Sequence, residues 1–278
     1  MIDYHVHPGF SPDADGTMVE FCDRAVAVGL AEICFTTHYE PDPVRRDREW
    51  VNVAGARVPV QADWAEHYLA AIDACRGKFG RLTVLAGVEV GYEPGLETAI
   101  STFLDRHRFD FVLGAVHSLD HVALTSGSEV SDFRQRFGGR PPAEVVRLYF
   151  EHMASLVDAR LFDSVAHLDA YRKYIRPIYD DRFDAAVEAE LPGFIARLVR
   201  SGTALEVNTS ALRRGMTEPY PAWAIAEQAR AAGARGVTVG SDAHRPQDVG
   251  SGIAGVVGAL ARLGLRPLRF RARLQLAD

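Results

Sequence analysis

The sequence predicts one α/β domain over residues 1–278, a succession of βα units whose parallel strands close, or nearly close, into a barrel. Three observations carry that expectation. Seven short apolar runs alternate with segments of helical period, at intervals of about 25 to 55 residues. A chain of 278 residues with 47% hydrophobic content can bury a large core, and barrels of this size form single domains although length alone suggests two. Each apolar run also ends in a histidine, carboxylate or amide, and the carboxyl ends of the strands in an α/β barrel form the face on which active sites are built.

The first unit opens with Asp3-Tyr4-His5-Val6-His7. Residues two apart on a strand share a face, so Asp3, His5 and His7 point one way, and two imidazoles with an aspartate behind them form a donor set suited to zinc, iron or manganese. Turn formers occupy 8–17, and Phe21, Ala25 and Val28 recur at helical spacing within 18–29. Ile33-Cys34-Phe35-Thr36-Thr37 reads as a second buried strand that ends in His38. Residues 39–63 break the rhythm with Glu40, Asp42, Arg45, Arg46, Asp47, Arg48 and Glu49, a stretch that is either a lid over the site or a solvated loop. Helical spacing returns over 64–79, and the strand 82–88 is ended by Glu89. The fourth strand, 109–116, ends in His117, and a loop passes His121 to reach the helix 142–159. The fifth, 162–166, leads into His167, Leu168 and Asp169; a helix over 185–201 and a strand over 203–207 follow, ending at Asn208. After an alanine-rich helix at 223–232, the strand 236–240 delivers Ser241, Asp242, Ala243 and His244. The tail, 267–274, alternates apolar and basic residues and reads as an edge strand, a candidate contact in a homo-oligomer.

Of the ten histidines, six sit at strand ends: His5, His7, His38, His117, His167 and His244. Joined by Glu89 and Asp242, they outnumber the roughly four to six donors one transition ion takes, which argues for more than one ion. His67, His107, His121 and His152 fall on helices or loops and are expected at the surface.

A net charge of −6 argues against a surface that coats nucleic acid, and leaves room for a local basic pocket. Cys22, Cys34 and Cys75 lack a C-x-x-C spacing and read as small core residues. No charged-then-apolar leader precedes Ile2, and no apolar run approaches the roughly 18 residues of a membrane span, so a soluble cytoplasmic protein is expected.

His5-Val6-His7, Thr36-Thr37-His38, Gly87-Val88-Glu89, Gly114-Ala115-Val116-His117-Ser118, Ala166-His167-Leu168-Asp169 and Gly240-Ser241-Asp242-Ala243-His244 resemble, in order, the motifs of the PHP (polymerase and histidinol phosphatase) superfamily, over about residues 1–255. The runs 89–95, 207–213 and 241–250, with Tyr220-Pro221, look most like the stand-alone histidinol-phosphate phosphatases. The resemblance implies a distorted (β/α)7 TIM-like barrel with three divalent transition-metal ions (Zn, Fe or Mn) at its carboxyl-terminal face. By position, His5, His7, Asp242 and Glu89 would hold one ion. Glu89 would bridge to a second ion held by His117 and His167, and His38, His244 and Asp13 would hold the third, with Asp15 as fallback.

The chemistry so implied is hydrolysis of a phosphomonoester by a metal-bridging hydroxide, with Asp242 and His244 as candidate catalytic residues and Asp242 relaying a proton. Arg213, then Arg172 or Lys173, are the candidates to meet the phosphate. The resemblance points to L-histidinol phosphate, whose amine and imidazole call for partners such as Glu40, Asp42, Tyr92, Glu93 and Tyr171. The alternatives are another phosphomonoester (a nucleotide or a phosphotyrosyl protein) and a nucleic-acid phosphodiesterase, which the acidic balance disfavours.

Overall fold

The structure is a computed structural model that describes residues 1–277. Eight parallel strands follow one another round the sheet in chain order: β1 (Ile2–Val6), β2 (Glu32–Phe35), β3 (Thr83–Gly91), β4 (Phe111–Ala115), β5 (Ser164–Val165), β6 (Ala204–Asn208), β7 (Gly236–Gly240) and β8 (Arg266–Pro267). A parallel neighbour can be reached only by a crossover, and the helices that supply the crossovers cover the strands' outer face, which is why the strands read as continuous apolar runs. Seven of the strands make the ring. Just above β7 the bridge Val6 to Ala243, with the His7 N–H donating to the Ala243 carbonyl (2.8 Å) and the Asp242 N–H to that of His5 (2.7 Å), joins the last strand to the first. β8 pairs only with the start of β7, and a two-residue strand, His38–Tyr39, pairs with the upper half of β3.

The fold is thus the α/β TIM-like barrel expected, with one consequential difference in register. β3 does not stop before Glu89 but continues to Gly91, because His38–Tyr39 on one side and β4 on the other both keep pairing with it. Glu89 therefore projects from within a strand held on both edges.

The main helices are α1 (Met18–Ala27), α2 (Trp64–Cys75), α3 (Glu97–Arg106), α4 (Val130–Phe137), α5 (Pro142–Ala159), α6 (Arg182–Ser201), α7 (Trp223–Ala231) and α8 (Ile253–Arg262). Thr17 and Glu20 close a reciprocal capping box at the start of α1. The sequence reading passes over α3, α4 and α8. The first two have thin apolar stripes, with only Ile100 buried on α3 and Phe133 and Phe137 on α4, and α8 is interrupted by glycine.

Apolar side chains fill two spaces. The larger lies between strands and helices; the smaller, with Tyr4, Leu85, Phe111, Leu113 and Phe270 among its members, fills the lower barrel. The tail, expected as an edge strand over 267–274, lies at the sheet edge only through Arg266–Pro267. Residues 270–275 form a hairpin, and Phe270 packs tilted against Phe111, with ring centroids 5.2 Å apart, a burial worth roughly 1.5–3 kcal/mol. Arg269 and Arg271 pair with the buried Glu32, and Arg273 with Asp163, so the alternating basic residues tie the plug to the barrel floor. All three cysteines are buried and free, as expected. Among the described residues no helix is long and apolar enough to cross a membrane.

Candidate metal centre

The upper barrel mouth gathers the strand-end residues around Glu89. This carboxylate is 1% exposed, and its two oxygens face different histidines. Oε2 lies 3.4 Å from His5 Nε2 and 3.5 Å from His7 Nε2; Oε1 lies 2.9 Å from His167 Nε2 and 3.3 Å from His117 Nε2. Asp242 Oδ1 joins the first group at 3.7 Å from His5 and 3.4 Å from His7. Further out, Asp13 faces His38 Nε2 at 3.8 Å and His244 Nε2 at 3.2 Å. Asp15 turns away to Arg245, so it is Asp13 that reaches the histidines.

This arrangement is poorly satisfied by hydrogen bonds alone. His5 Nε2 and His7 Nε2 face each other at 2.9 Å, so when both rings are neutral a single proton lies between two nitrogens that could each face a cation. Glu89 Oε2 and His38 Nδ1 are buried, 3.0 Å apart, and neither has a hydrogen-bond partner. Nitrogen and carboxylate donors that converge unpaired in this way fit divalent transition ions, and such donors group as His5-His7-Asp242, His5-Glu89-His167 and His7-His38-His244. Burial opposes ionisation of Glu89, yet the surrounding His5, His117 and His38 hold its carboxyl well below the usual range. Burial opposes protonation of His38 too, but Glu89 and Asp13 raise it to about 9. His7, buried beside His38 and His244, is pushed well below its ordinary value. Glu89 is thus held ionised and His38 protonated, while His7 stays neutral, a mixture of proton-holding and lone-pair donors in which a cation can replace protons.

A second layer orients the donors. His5 Nδ1 lies 2.6 Å from Glu206 Oε1, and Glu206 Oε2 accepts the His167 N–H at 2.9 Å. His117 Nδ1 lies 2.6 Å from Glu40, and His7 Nδ1 lies 3.1 Å from the Ser11 hydroxyl. The two carboxylate contacts fix the tautomers in which Nε2 of His5 and His117 faces the centre, and the hydroxyl orients the His7 ring. Two glycines make room. A Cβ on Gly91 would sit 1.7 Å from Glu40, and one on Gly240 would sit 2.3 Å from the His5 Cβ and 2.6 Å from Glu206. His167 (φ 25°) and Asp242 (φ 54°) adopt the left-handed region, a conformation non-glycine residues hold where function requires it.

Glu206 was missed from sequence, where its signal is a charge inside the otherwise apolar Ala204-Leu205-Glu206-Val207. Asn208, expected to point into the site, reaches Asp242 Oδ2 at 3.4 Å while donating to Glu206 at 3.2 Å and accepting the Ser210 hydroxyl at 2.7 Å. Asp3 is also structural, accepting Ser241 N–H (2.8 Å), Ser241 Oγ (2.5 Å) and Gly250 N–H (2.9 Å).

Beside the centre opens a cavity of about 510 Å³. Lys173, Arg214, Ser210 and Tyr220 line it together with Glu40, Glu49, Arg48 and Trp50. Residues 39–63 therefore contribute wall, built on the hairpin Trp50–Val53 and Ala56–Pro59 and tied by Arg45 to Glu49 and Glu129, each at 2.9 Å. Burial and the neighbouring Glu40 raise Glu49 to about 7. Of the three expected phosphate ligands, Lys173 lines the cavity and the two arginines lie elsewhere. Arg213 donates to the carbonyls of Ser241 (2.6 Å) and Asp242 (2.9 Å), and Arg172 to Asp169 (2.7 Å) and the Pro219 carbonyl (3.1 Å), so both guanidinia are committed to these acceptors and neither arginine lines the cavity. Of the residues expected to meet an amine or imidazole, Glu40 lines the cavity and Asp42, Tyr92, Glu93 and Tyr171 do not. His152, expected at the surface, is 5% exposed.

The PHP domain family matches the chain over residues 3–210. A Deinococcus radiodurans protein named "Probable histidinol-phosphatase" is 31% identical, covering 98% of this chain and 97% of its own. The Lactococcus lactis histidinol-phosphatase is 26% identical over 87% of this chain and 84% of its own. A crystal structure of the histidinol phosphate phosphatase from Lactococcus lactis, in complex with zinc, L-histidinol and phosphate, superposes with a TM-score of 0.80 at 22% identity, covering 99% and 98% of the two chains.

Proposed function

Because the chain belongs to the PHP domain family, we propose that it is a metal-dependent phosphomonoesterase that hydrolyses L-histidinol phosphate to L-histidinol and phosphate, a step of histidine biosynthesis. The observation that carries the reading is Glu89, whose two oxygens face two separate sets of histidine nitrogens, as a bridging carboxylate must. One ion would be held by His5, His7, Asp242 and Glu89, a second by Glu89, His117 and His167, and a third by His38, His244 and Asp13. The mixed imidazole and carboxylate set suits zinc, iron or manganese. When bound, such ions acidify water and draw charge from phosphoryl oxygens.

The chain's own residues do the rest. Arg214 and Lys173, not Arg213 and Arg172, are placed on the cavity wall to take the phosphate. Burial works against Asp242, but His5 and His7 keep it ionised; with Oδ2 near Asn208 (3.4 Å) and Ser210 (3.1 Å), it accepts a proton from the attacking water and passes it to the leaving oxygen. His244 Nδ1, 3.4 Å away, holds that carboxylate's orientation. Glu40 and Glu49, with Trp50 beside them, offer charge and an aromatic face to the amine and imidazole of the leaving alcohol.

The test is steady-state phosphate release by metal-reconstituted protein from L-histidinol phosphate, p-nitrophenyl phosphate and a nucleotide panel. A strong preference for the first is expected. Comparable rates on every ester would refute the substrate while leaving the phosphoesterase chemistry.

A further inference from the structure

Two more carboxylates are buried outside the cavity lining, and among the described residues the only basic side chains within 4 Å of them are histidines. Asp42 and Glu93 are each 4% exposed. Asp42 Oδ1 accepts the Val44 N–H at 2.9 Å, and Oδ2 lies 2.7 Å from His121 Nδ1. Glu93 Oε1 accepts the Ser118 hydroxyl (2.8 Å) and the His121 N–H (3.0 Å), while Oε2 lies 3.3 Å from His152 Nδ1. Arg45, three residues from Asp42, commits its guanidinium to Glu49, Glu129 and the His121 carbonyl. Two buried carboxylates drawn together without a lysine or arginine are costly unless they share a cation.

A second, independent observation comes from α5. His152 is 5% exposed, and its Nδ1 is buried without a hydrogen-bond partner although it faces Glu93. An unpaired imidazole nitrogen beside a carboxylate is a ligand in waiting.

We propose that Asp42, Glu93 and His121 bind a divalent ion of the zinc type, with His152 as the fourth donor. One donor atom from each of the first three lies within 4.8 Å of the others. Zinc bonds of about 2.1 Å place tetrahedral donors roughly 3.4 Å apart, so a modest contraction closes the site. The His121 side chain is 45% exposed and gives the ion an entry path from solvent. Once filled, the site pins the hairpin Ser118–Leu119 and Val122–Ala123, which follows His117, to the loop that follows His38–Tyr39. The ion would thereby brace the approach of two residues of the main centre, and its binding does not depend on the reaction proposed above.

The experiment is zinc content of the full chain after equilibrium dialysis, for wild type, His121→Ala and Asp42→Asn, each also made in a Glu89→Ala background that weakens the main centre. We expect each variant to hold one zinc equivalent fewer than its parent in both backgrounds. Equal zinc content in parent and variants, with all of them folded by circular dichroism, would overturn the proposal and leave a hydrogen-bonded tie in place of a metal site.

Discussion

Replacing Glu206 by glutamine tests whether the layer behind the metal centre sets metal affinity. One carboxylate serves two ligands there: Oε1 sits 2.6 Å from His5 Nδ1 and Oε2 accepts the His167 N–H at 2.9 Å. Glutamine has one carbonyl to offer. Turned towards His5, it leaves the –NH2 against the buried His167 N–H, donor against donor, at a cost of about 1–3 kcal/mol. Turned towards His167, it drives the His5 proton onto Nε2, the nitrogen that faces Glu89, His7 and Asp242. Either way the loss falls on the metal-competent form, and 1.4 kcal/mol per decade makes it roughly 10–100-fold in affinity. The assay is phosphate release in zinc-buffered solution. Half-saturating zinc should rise by that factor in Glu206→Gln, and turnover should recover when zinc is raised. Unchanged half-saturation would refute the reasoning, and a turnover loss that excess zinc does not restore would move Glu206 from positioning to chemistry.

Glu89→Ala should release two ions and Asp13→Ala only one, since Glu89 faces two histidine sets and Asp13 a single outer pair; equal losses by elemental analysis would contradict the bridging role. Arg214→Ala should lower kcat/KM by about 10–100-fold with the melting temperature unchanged, as expected for a lost charged hydrogen bond of roughly 1.5–3 kcal/mol. Arg213→Ala should instead lower the melting temperature, because it removes the brace on the Ser241 and Asp242 carbonyls. Burial disfavours ionised Glu32, but Arg269, Tyr4 and Arg271 depress its folded value below the ordinary one. The stability this provides is full above the usual glutamate value of about 4.3 and is lost as pH falls through the depressed folded value. Glu32→Gln should therefore flatten the acid limb of a melting temperature against pH profile, and an unchanged limb would assign acid sensitivity to other groups.

The barrel and the positions of the metal-ligand candidates were legible because both rest on period and place. Apolar runs fix the strands, and a polar residue at the end of each run is carried to one face by the sheet itself. Orientation was not legible. Arg213 and Arg214 are neighbours in the chain, and which one reaches the cavity depends on a short helix, Ser210–Arg213, and on the buried carbonyls that capture the first guanidinium. Glu206 was hidden for the same kind of reason, since a charged residue within a strand declares its importance only when the residues on two other strands that it touches are known.

The charge pattern of the centre follows from where those residues are forced to lie. Barrel closure brings β1 and β7 together through Val6 and Ala243, and that contact places His5, His7 and Asp242 within 3.7 Å of one another. Burial alone would neutralise all three, the histidines by losing protons and the aspartate by gaining one. Instead Asp242 is held well below its ordinary value by His5, His7 and His244, and His5 well above by Glu206, Glu89 and Asp242, while His7 between them is driven down. A buried cluster kept charged in this way is costly to maintain with protons alone. Divalent cations would relieve it, because they satisfy the carboxylates and displace the proton that lies between His5 Nε2 and His7 Nε2. The cost of closing the ring on two imidazoles and two carboxylates is therefore the same free energy that draws metal into the mouth of the barrel, so fold stability and metal content should rise and fall together.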